Sequence, residues 1–190
     1  MRIILASQSP RRRELLERMG ISDFLIRPAQ GEENFDPSLT PAQLVEALSR
    51  QKAEEISAGA GPEDIVIAAD TIVYLDGVIL GKPKDTADAA RMLAALSGRE
   101  HTVYTGVAVL RGGETRQAAE HTAVRFRTLT PEEIARYIAT GEPMDKAGAY
   151  GIQGRGALFV AHLDGDYFNV MGLPLCRLGQ LLNELGVELL

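Results

Sequence analysis

Apolar residues occur along this chain in two kinds of segment that alternate. Short runs that are apolar at nearly every position are typical of buried strands, and apolar residues three or four positions apart are typical of helices packed on one side. Because the two kinds alternate and two hairpins are also predicted, the pattern favours an α/β fold with a mixed sheet flanked by helices. The predicted strands are residues 3–6, 24–28, 65–75, 78–80, 101–110, 123–127, 157–163 and 167–171, and the predicted helices are residues 10–19, 41–56, 85–96, 130–140 and 173–185.

Asp70 interrupts the apolar run at residues 65–75 and is the first candidate for chemistry. An isolated ionised carboxylate in a buried strand is very costly, so it needs a cationic partner, a metal ion or an open cleft. A polar residue at a strand end, bonded to a loop, is the structural alternative. We favour the functional interpretation.

A basic turn follows the first predicted strand. Ser9 is a suitable N-cap, Pro10 suits the first helical position, and Arg11, Arg12 and Arg13 follow at once. Cations there oppose the helix dipole, whereas a polyanion would be bound by both the arginines and the exposed N–H groups. Helical spacing places Arg12 on the apolar stripe, Arg11 beside it and Arg13 toward solvent. The pattern predicts an anion site, with a solvated basic turn as the alternative, and it implies that loss of Arg12 would not destabilise the ligand-free protein.

Two lysines are further candidate cations. Lys52 falls on the apolar stripe of the helix predicted at residues 41–56, so it either extends past that stripe to solvent or reaches a fixed anion. Lys82 follows a hairpin whose turn, Asp76-Gly77, is a favoured two-residue sequence. An ordinary surface lysine is the alternative at both positions, and for Lys52 it is the commoner one.

Residues 142–156 form a glycine-rich segment that is too apolar for a free linker. Glycines let the backbone turn sharply or pass close to a ligand, although neither the P-loop nor the dinucleotide-binding pattern is present. Gln153 offers both a donor and an acceptor, which suits the edge of a pyrimidine base. A flexible loop is the alternative here, as a solvated acidic loop is for residues 31–36.

Composition limits the classes of function. The chain has 190 residues, of which 45% are apolar, and its formal charge is -6 without a long basic run, so we expect no nucleic-acid partner. Cys176 is the single cysteine, which excludes an internal disulfide and indicates a packing residue in the last helix. No membrane-length apolar run or signal peptide is evident, so we expect a cytoplasmic protein without a membrane partner.

Six separated motifs point beyond these local features. They are Ala6-Ser-Gln-Ser-Pro-Arg-Arg12, Ala69-Asp-Thr71, Gly81-Lys-Pro83, Ser97-Gly98, Asp145-Lys-Ala-Gly-Ala-Tyr-Gly-Ile-Gln-Gly154 and Gly172-Leu-Pro174. In this order they resemble the signature of the Maf nucleotide pyrophosphatases over nearly the whole chain. The resemblance implies a single domain over residues 1–190 with the Maf fold. That fold is similar to the fold of inosine triphosphate pyrophosphatases, with an elongated sheet and two lobes around a central cleft.

The resemblance also implies an activity, which is metal-dependent hydrolysis of a nucleoside triphosphate to the monophosphate and pyrophosphate. The form Ala-Tyr-Gly-Ile-Gln-Gly resembles the subgroup that acts on dTTP and UTP, and modified pyrimidine nucleotides and a link to cell-division arrest are further expectations. Asp70 matches the catalytic proton acceptor. Arg11, Thr71 and Gln153 match positions that set substrate choice.

From this resemblance we expect a Mg²⁺ or Mn²⁺ ion held by Asp70 and Glu33, with Glu32 and Asp36 as alternatives to Glu33. Residues expected to bind the triphosphate are Arg11, Arg12, Lys52, Lys82, Ser7 and Ser9, although helix capping would equally explain Ser9. A phosphatase, a nucleotidyltransferase or a non-catalytic nucleotide-binding regulator of septum formation are the alternatives, and the protein could form a homodimer.

Overall fold

The computed structural model of the chain describes residues 1–32 and 35–190. The chain divides into two compact units. Unit 1 comprises Met1–Asp70, Thr105–Glu120 and Gly172–Leu190, and unit 2 comprises Thr71–Tyr104 and His121–Met171.

Strands and helices alternate along the described residues. The strands are β1 (Ile3–Leu5), β2 (Phe24–Ile26), β3 (Ile65–Leu75), β4 (Val78–Leu80), β5 (Glu100–Arg111), β6 (Glu114–Phe126) and β7 (Val160–Asp164). The α-helices are α1 (Pro10–Arg18), α2 (Pro41–Ser57), α3 (Thr86–Leu96), α4 (Pro131–Ile138), α5 (Tyr167–Met171) and α6 (Leu175–Glu184). Three 3₁₀ turns, Glu142–Asp145, Ala147–Ala149 and Arg155–Phe159, shape the glycine-rich segment.

Within the described part of the chain, the strands form one seven-stranded sheet in the order β2-β1-β3-β5-β6-β7, with β4 paired to β3. β1 pairs in parallel with both β2 and β3, whereas β4 and β7 pair antiparallel with β3 and β6. The predicted α/β class with a mixed sheet flanked by helices is therefore confirmed.

Local signals set most element boundaries. The apolar run at residues 65–75 forms β3, and the turn that follows it has left-handed φ at both Asp76 (47°) and Gly77 (86°), as a type I′ hairpin turn requires. The Asp85 side chain accepts a hydrogen bond from the Asp88 backbone N–H at the start of α3. Capping boxes at Thr40 and Thr130 open α2 and α4.

Helix α2 packs on one face of the parallel strands in unit 1. Ala53 of α2 belongs to a buried cluster with Ile4 of β1 and with Val66 and Ala68 of β3. Because side chains two positions apart line the same face of a strand, Asp70 continues the row of Val66 and Ala68. The core contact therefore directs Asp70 toward α2.

The prediction of a strand at residues 167–171 is wrong, because Tyr167–Met171 forms α5. Oδ1 of Asp166 accepts a hydrogen bond from the Phe168 N–H at 2.7 Å, which bends the chain into a turn. The buried Asn169 side chain then donates to the Val103 carbonyl (3.0 Å) and to Oγ1 of Thr122 (2.9 Å). Apolar periodicity over five residues cannot distinguish these outcomes, and the tertiary hydrogen bonds decide.

Two smaller expectations also change. β6 begins at Glu114, nine residues before the predicted strand at residues 123–127. Cys176 is exposed on α6, so it is not the packing residue that its helix suggested. Among residues 1–32 and 35–190, no helix is both long and apolar enough to cross a membrane.

Candidate functional site

Polar residues of unit 1 follow the carboxyl end of β1. Leu5 is level with Ile67 in the parallel pair of β1 and β3, and the Ala6 N–H donates to the Ile67 carbonyl at 2.8 Å. Ser7 and Asp70 therefore both lie beyond the carboxyl end of β1. Ligands of open α/β sheets bind outside the carboxyl ends of parallel strands, so this is a favourable place for a site.

The turn between β1 and α1 is shaped by Ser7 as well as by Ser9. Ser9 is the N-cap residue, but its side chain makes no capping bond; its backbone N–H instead donates to Oγ of Ser7 at 3.2 Å. Arg11 lies in the first helical turn and is partly exposed. Arg13 is exposed and pairs with Glu17 one turn along α1. The predicted outward position of Arg13 is confirmed.

Arg12 connects three segments of unit 1. Its Nη1 donates to Oγ of Ser7 at 3.2 Å, and its Nε donates to the carbonyl of Gly172 at 2.7 Å. The second contact joins α1 to the segment that leads into α6. We therefore revise the expectation that Arg12 contributes nothing to the stability of the ligand-free protein.

Lys52 of α2 forms an ion pair with Asp70 of β3. The Lys52 ammonium donates to Oδ1 of Asp70, and the two side chains are 19% and 11% exposed, respectively. Of the two interpretations of Lys52, the structure supports the one in which it reaches a fixed anion. The pair explains how the chain tolerates Asp70 at a largely buried position, because the positive charge of Lys52 compensates the negative charge of Asp70.

The acidic loop before α2 is tied to the helix that carries Lys52. Nε2 of Gln51 donates to the Glu32 carbonyl at 2.6 Å, and the Glu55 carboxylate accepts from the N–H groups of Gln30 (2.7 Å) and Gly31 (3.1 Å). The Glu32 contact thus uses the backbone carbonyl and not the carboxylate.

Asp36 and Glu33 carry the other two carboxylates of this loop. The Asp36 carboxylate accepts from the hydroxyl (2.7 Å) and N–H (2.9 Å) of Ser38, and these hydrogen bonds lower the pKa of Asp36. Asp36 is thus occupied by its own turn. Glu33, the preferred metal ligand, lies outside the described residues.

In unit 2, the glycine-rich segment packs against the β3–β4 hairpin. The Gly148 N–H donates to the Gly81 carbonyl at 3.0 Å, and a Cβ on Gly148 would lie 2.8 Å from the side chain of Val73. Thr71 is half-buried on β3, Lys82 is exposed directly after Gly81, and Gln153 is exposed within the segment. The structure thus brings the segment that carries Gln153 onto the hairpin that carries Thr71 and Lys82.

Sequence reasoning missed Glu142 and Tyr137, which hold the glycine-rich segment together. The Glu142 carboxylate accepts hydrogen bonds from the Tyr137 hydroxyl (2.9 Å) and from the N–H groups of Arg155 (3.0 Å) and Gly156 (3.1 Å). Burial alone would raise the pKa of Glu142, but these bonds lower it below its usual value. Nothing in the local sequence could pair a carboxylate with N–H groups so far along the chain.

Residues 2–185 match the sequence pattern of the family described as Maf-like protein. The chain belongs to this family. A dTTP/UTP pyrophosphatase of Moorella thermoacetica is 55% identical over 189 residues, which cover 98% of this chain and 96% of the relative. A dTTP/UTP pyrophosphatase of Bacillus pumilus is 51% identical and covers 97% of each chain. The solved structure of a HAM1 protein from Coxiella burnetii is 15% identical, covers 97% of this chain and 99% of its own, and gives a TM-score of 0.49.

The Maf-family resemblance drawn from the six motifs is therefore confirmed.

The residues near Asp70 can be compared with what a divalent cation requires. No group of three His, Cys, Asp or Glu side chains that could hold a metal occurs in the part of the chain that the structure describes. Mg²⁺, however, commonly takes one or two carboxylates together with substrate phosphates. Oδ1 of Asp70 accepts the hydrogen bond from Lys52, and the carboxylate has a second oxygen, Oδ2. Asp70 thus has a hard oxygen donor to offer and fits such an ion.

Proposed function

We propose that this Maf-family protein hydrolyses dTTP and UTP to the monophosphate and pyrophosphate with the help of a divalent cation. The observation that carries the proposal is the largely buried Asp70 carboxylate, directed toward α2 and held by Lys52 beyond the carboxyl end of β1. Relatives named dTTP/UTP pyrophosphatase, at 55% and 51% identity over nearly the full length, support the choice of substrate.

The N-terminal turn of α1, Lys52 and Lys82 bind the triphosphate. The N–H groups of the first helical turn favour an anion, and the guanidinium of Arg11 adds charge at the same place. The guanidinium of Arg12 and the hydroxyl of Ser7 already share a hydrogen bond, so a phosphate oxygen could join them. Lys52 has three N–H donors and can hold Asp70 while it donates to a phosphate oxygen. Lys82 and the Ser9 hydroxyl supply further contacts.

Asp70 acts as the general base. A water molecule attacks the α-phosphorus, its proton passes to the Asp70 carboxylate, the bond between the α- and β-phosphates breaks, and pyrophosphate leaves. Lys52 orients the carboxylate for this step. A Mg²⁺ or Mn²⁺ ion held by Asp70 and Glu33, when bound, supplies neutralisation of the phosphate oxygens.

Base selection falls to Thr71 and Gln153, with Arg11 as a third determinant of substrate choice. The Gln153 amide has both a donor and an acceptor and can therefore match the edge of a pyrimidine. Purines present a different arrangement of donors and acceptors at that edge, which would leave amide groups without partners. Selection of pyrimidines over purines in this way is strong, because a purine would leave polar groups of the site without water and without a hydrogen-bond partner.

The test is product analysis with a panel of nucleoside triphosphates in Mg²⁺ or Mn²⁺. We expect pyrophosphate and a monophosphate, with dTTP and UTP turned over faster than ATP and GTP. Orthophosphate as the first product would indicate a phosphatase and reject the proposal. Tight binding without turnover in either metal would indicate the non-catalytic regulator.

Other expectations stay predictions. They are a single domain over residues 1–190, a cytoplasmic location, a homodimer, the absence of nucleic-acid and membrane partners, modified pyrimidine nucleotides as substrates, and the link to septum formation.

A further inference from the structure

The loop at residues 151–156 is tied down on both sides of Gln153. Before it, the Gly151 N–H donates to the Tyr137 hydroxyl at 3.0 Å. After it, the N–H groups of Arg155 and Gly156 donate to the Glu142 carboxylate at 3.0 and 3.1 Å. The Tyr137 hydroxyl donates to the same carboxylate at 2.9 Å. One phenol and one carboxylate therefore close the loop, and we call Tyr137 and Glu142 the loop clamp.

The loop lies so close to the clamp that a Cβ at Gly154 or Gly156 would force the neighbouring atoms to shift. A Cβ on Gly154 would lie 2.5 Å from Oε1 and 2.6 Å from Oε2 of Glu142. A Cβ on Gly156 would lie 2.7 Å from the Gly151 carbonyl oxygen and 2.9 Å from the Tyr137 hydroxyl. These glycines thus allow the backbone to approach the clamp, whereas the sequence left open a sharp turn or a close approach to a ligand.

The clamp is itself held by its surroundings. Tyr137 is 4% exposed, and its ring packs edge-on against Phe159 with centroids 4.8 Å apart. The Lys146 ammonium donates to the Glu142 carbonyl at 2.7 Å, which fixes the backbone from which the carboxylate extends. Burial raises the pKa of Tyr137, so its hydroxyl stays a hydrogen-bond donor at neutral pH. Both members are thus in the protonation state that the hydrogen bonds require.

We propose that Tyr137 and Glu142 are positioning residues for pyrimidine selection, acting through Gln153. This inference rests on the proposed function, in which the Gln153 amide reads the base. A loop of a few residues that is tethered at both ends confines the residue between the tethers, so the amide meets the base without first losing conformational freedom. Loosening either tether would weaken selection while the groups that perform hydrolysis stay in place.

The decisive variant is Tyr137→Phe, which removes the hydroxyl and keeps the ring against Phe159. We expect the ratio of kcat/KM for UTP over ATP to fall at least about fivefold, the size expected for one lost hydrogen bond. The KM for UTP should rise, while kcat changes by less than about twofold. Tyr104→Phe is the matched control because it makes the same chemical change on β5, outside the clamp, and it should leave the ratio unchanged. An unchanged ratio in Tyr137→Phe, with only a lower melting temperature, would overturn the proposal.

Two further measurements separate the clamp from the function on which it rests. Amide hydrogen exchange at residues 151, 155 and 156 should accelerate in Tyr137→Phe without any substrate, and unchanged exchange would overturn the clamp. In a Gln153→Ala background, Tyr137→Phe should reduce selectivity no further, because the clamp acts only through Gln153; an additional loss would contradict it. If Gln153→Ala alone keeps the pyrimidine preference, base reading and positioning fail together, although pyrophosphate release would stand.

Discussion

The Lys52 ammonium of α2 donates a hydrogen bond to Oδ1 of Asp70 on β3, and both side chains are largely buried. This pair joins the proposed general base to the helix that forms one wall of the unit 1 core. We therefore expect the pair to contribute both to stability and to the proposed hydrolysis, and substitution can separate the two contributions.

The pair predicts energetic coupling between the two positions. Lys52→Met should destabilise the protein by about 2 kcal/mol, because it leaves a largely buried carboxylate without its cation. In the double variant Lys52→Met/Asp70→Asn that carboxylate is gone, so the loss should be smaller than the sum by about 1 kcal/mol. Denaturant unfolding of the four proteins measures this coupling. Strict additivity would mean that the ion pair contributes nothing in solution.

Asp70→Asn should keep the fold and lose most turnover. The amide oxygen can still accept the hydrogen bond from Lys52, whereas the proposed general base is removed, and loss of a general base typically costs about 10² to 10⁴ in rate. Steady-state kinetics with UTP at saturating Mg²⁺, together with a thermal melt, measures both effects. Near-normal turnover would make Asp70 a structural residue whose role is to hold Lys52.

Arg12→Ala should reduce both stability and activity. Loss of the hydrogen bond from the guanidinium to the Gly172 carbonyl should cost about 1.5 kcal/mol. If Arg12 binds the triphosphate as proposed, loss of its guanidinium should also lower kcat/KM at least about tenfold. Arg13→Ala is the matched control, since its exposed pair with Glu17 is worth at most about 0.5 kcal/mol. If the Arg12 and Arg13 variants behave alike, the turn is a diffuse basic patch.

Gly106→Ala should destabilise the protein strongly, by about 3 kcal/mol or more. A Cβ on Gly106 of β5 would overlap the carbonyl of Val45 in α2, and neither backbone can move without displacing the other. Gly179→Ala makes the same change inside α6, where the nearest atom is Cε of Met19 at 3.9 Å. That variant should be stabilised by about 0.5–1 kcal/mol through helix propensity. Similar melting temperatures for the two would contradict the close packing of α2 on β5.

Because His101 is buried, we expect the protein to become less stable in mild acid. Burial lowers its pKa to about 4, and in the unfolded chain its pKa is near the ordinary value of 6.5. Between these values the unfolded state binds the extra proton, so the stability contributed by neutral His101 is present above pH 6.5 and is lost as the pH falls toward 4. The loss should reach on the order of 3 kcal/mol. His101→Phe should flatten this part of the profile in urea unfolding between pH 7 and 4, whereas His121→Gln, at an exposed position, should not.

Much of the fold follows from the sequence because its signals are local. The apolar run of β3, the Asp76-Gly77 turn and the capping boxes at Thr40 and Thr130 each depend on residues within a few positions of one another. Backbone sterics and the nearest hydrogen bonds decide such features, so the sequence alone determines them. The same holds for Asp70 as a candidate, since an acid inside an apolar run needs an explanation wherever the strand lies.

Which side chain compensates the charge of Asp70 was decided only by the tertiary structure. The packing of α2 on β1 and β3 makes Lys52 the partner of Asp70. The close approach of the loop at residues 151–156 makes Glu142 part of the loop clamp. α5 forms where periodicity predicted a strand because Thr122 and Val103, far away in sequence, accept the hydrogen bonds of Asn169. The physical reason is common to all three. Their energies depend on distances between segments that only the folded chain brings together, and no local spacing encodes those distances.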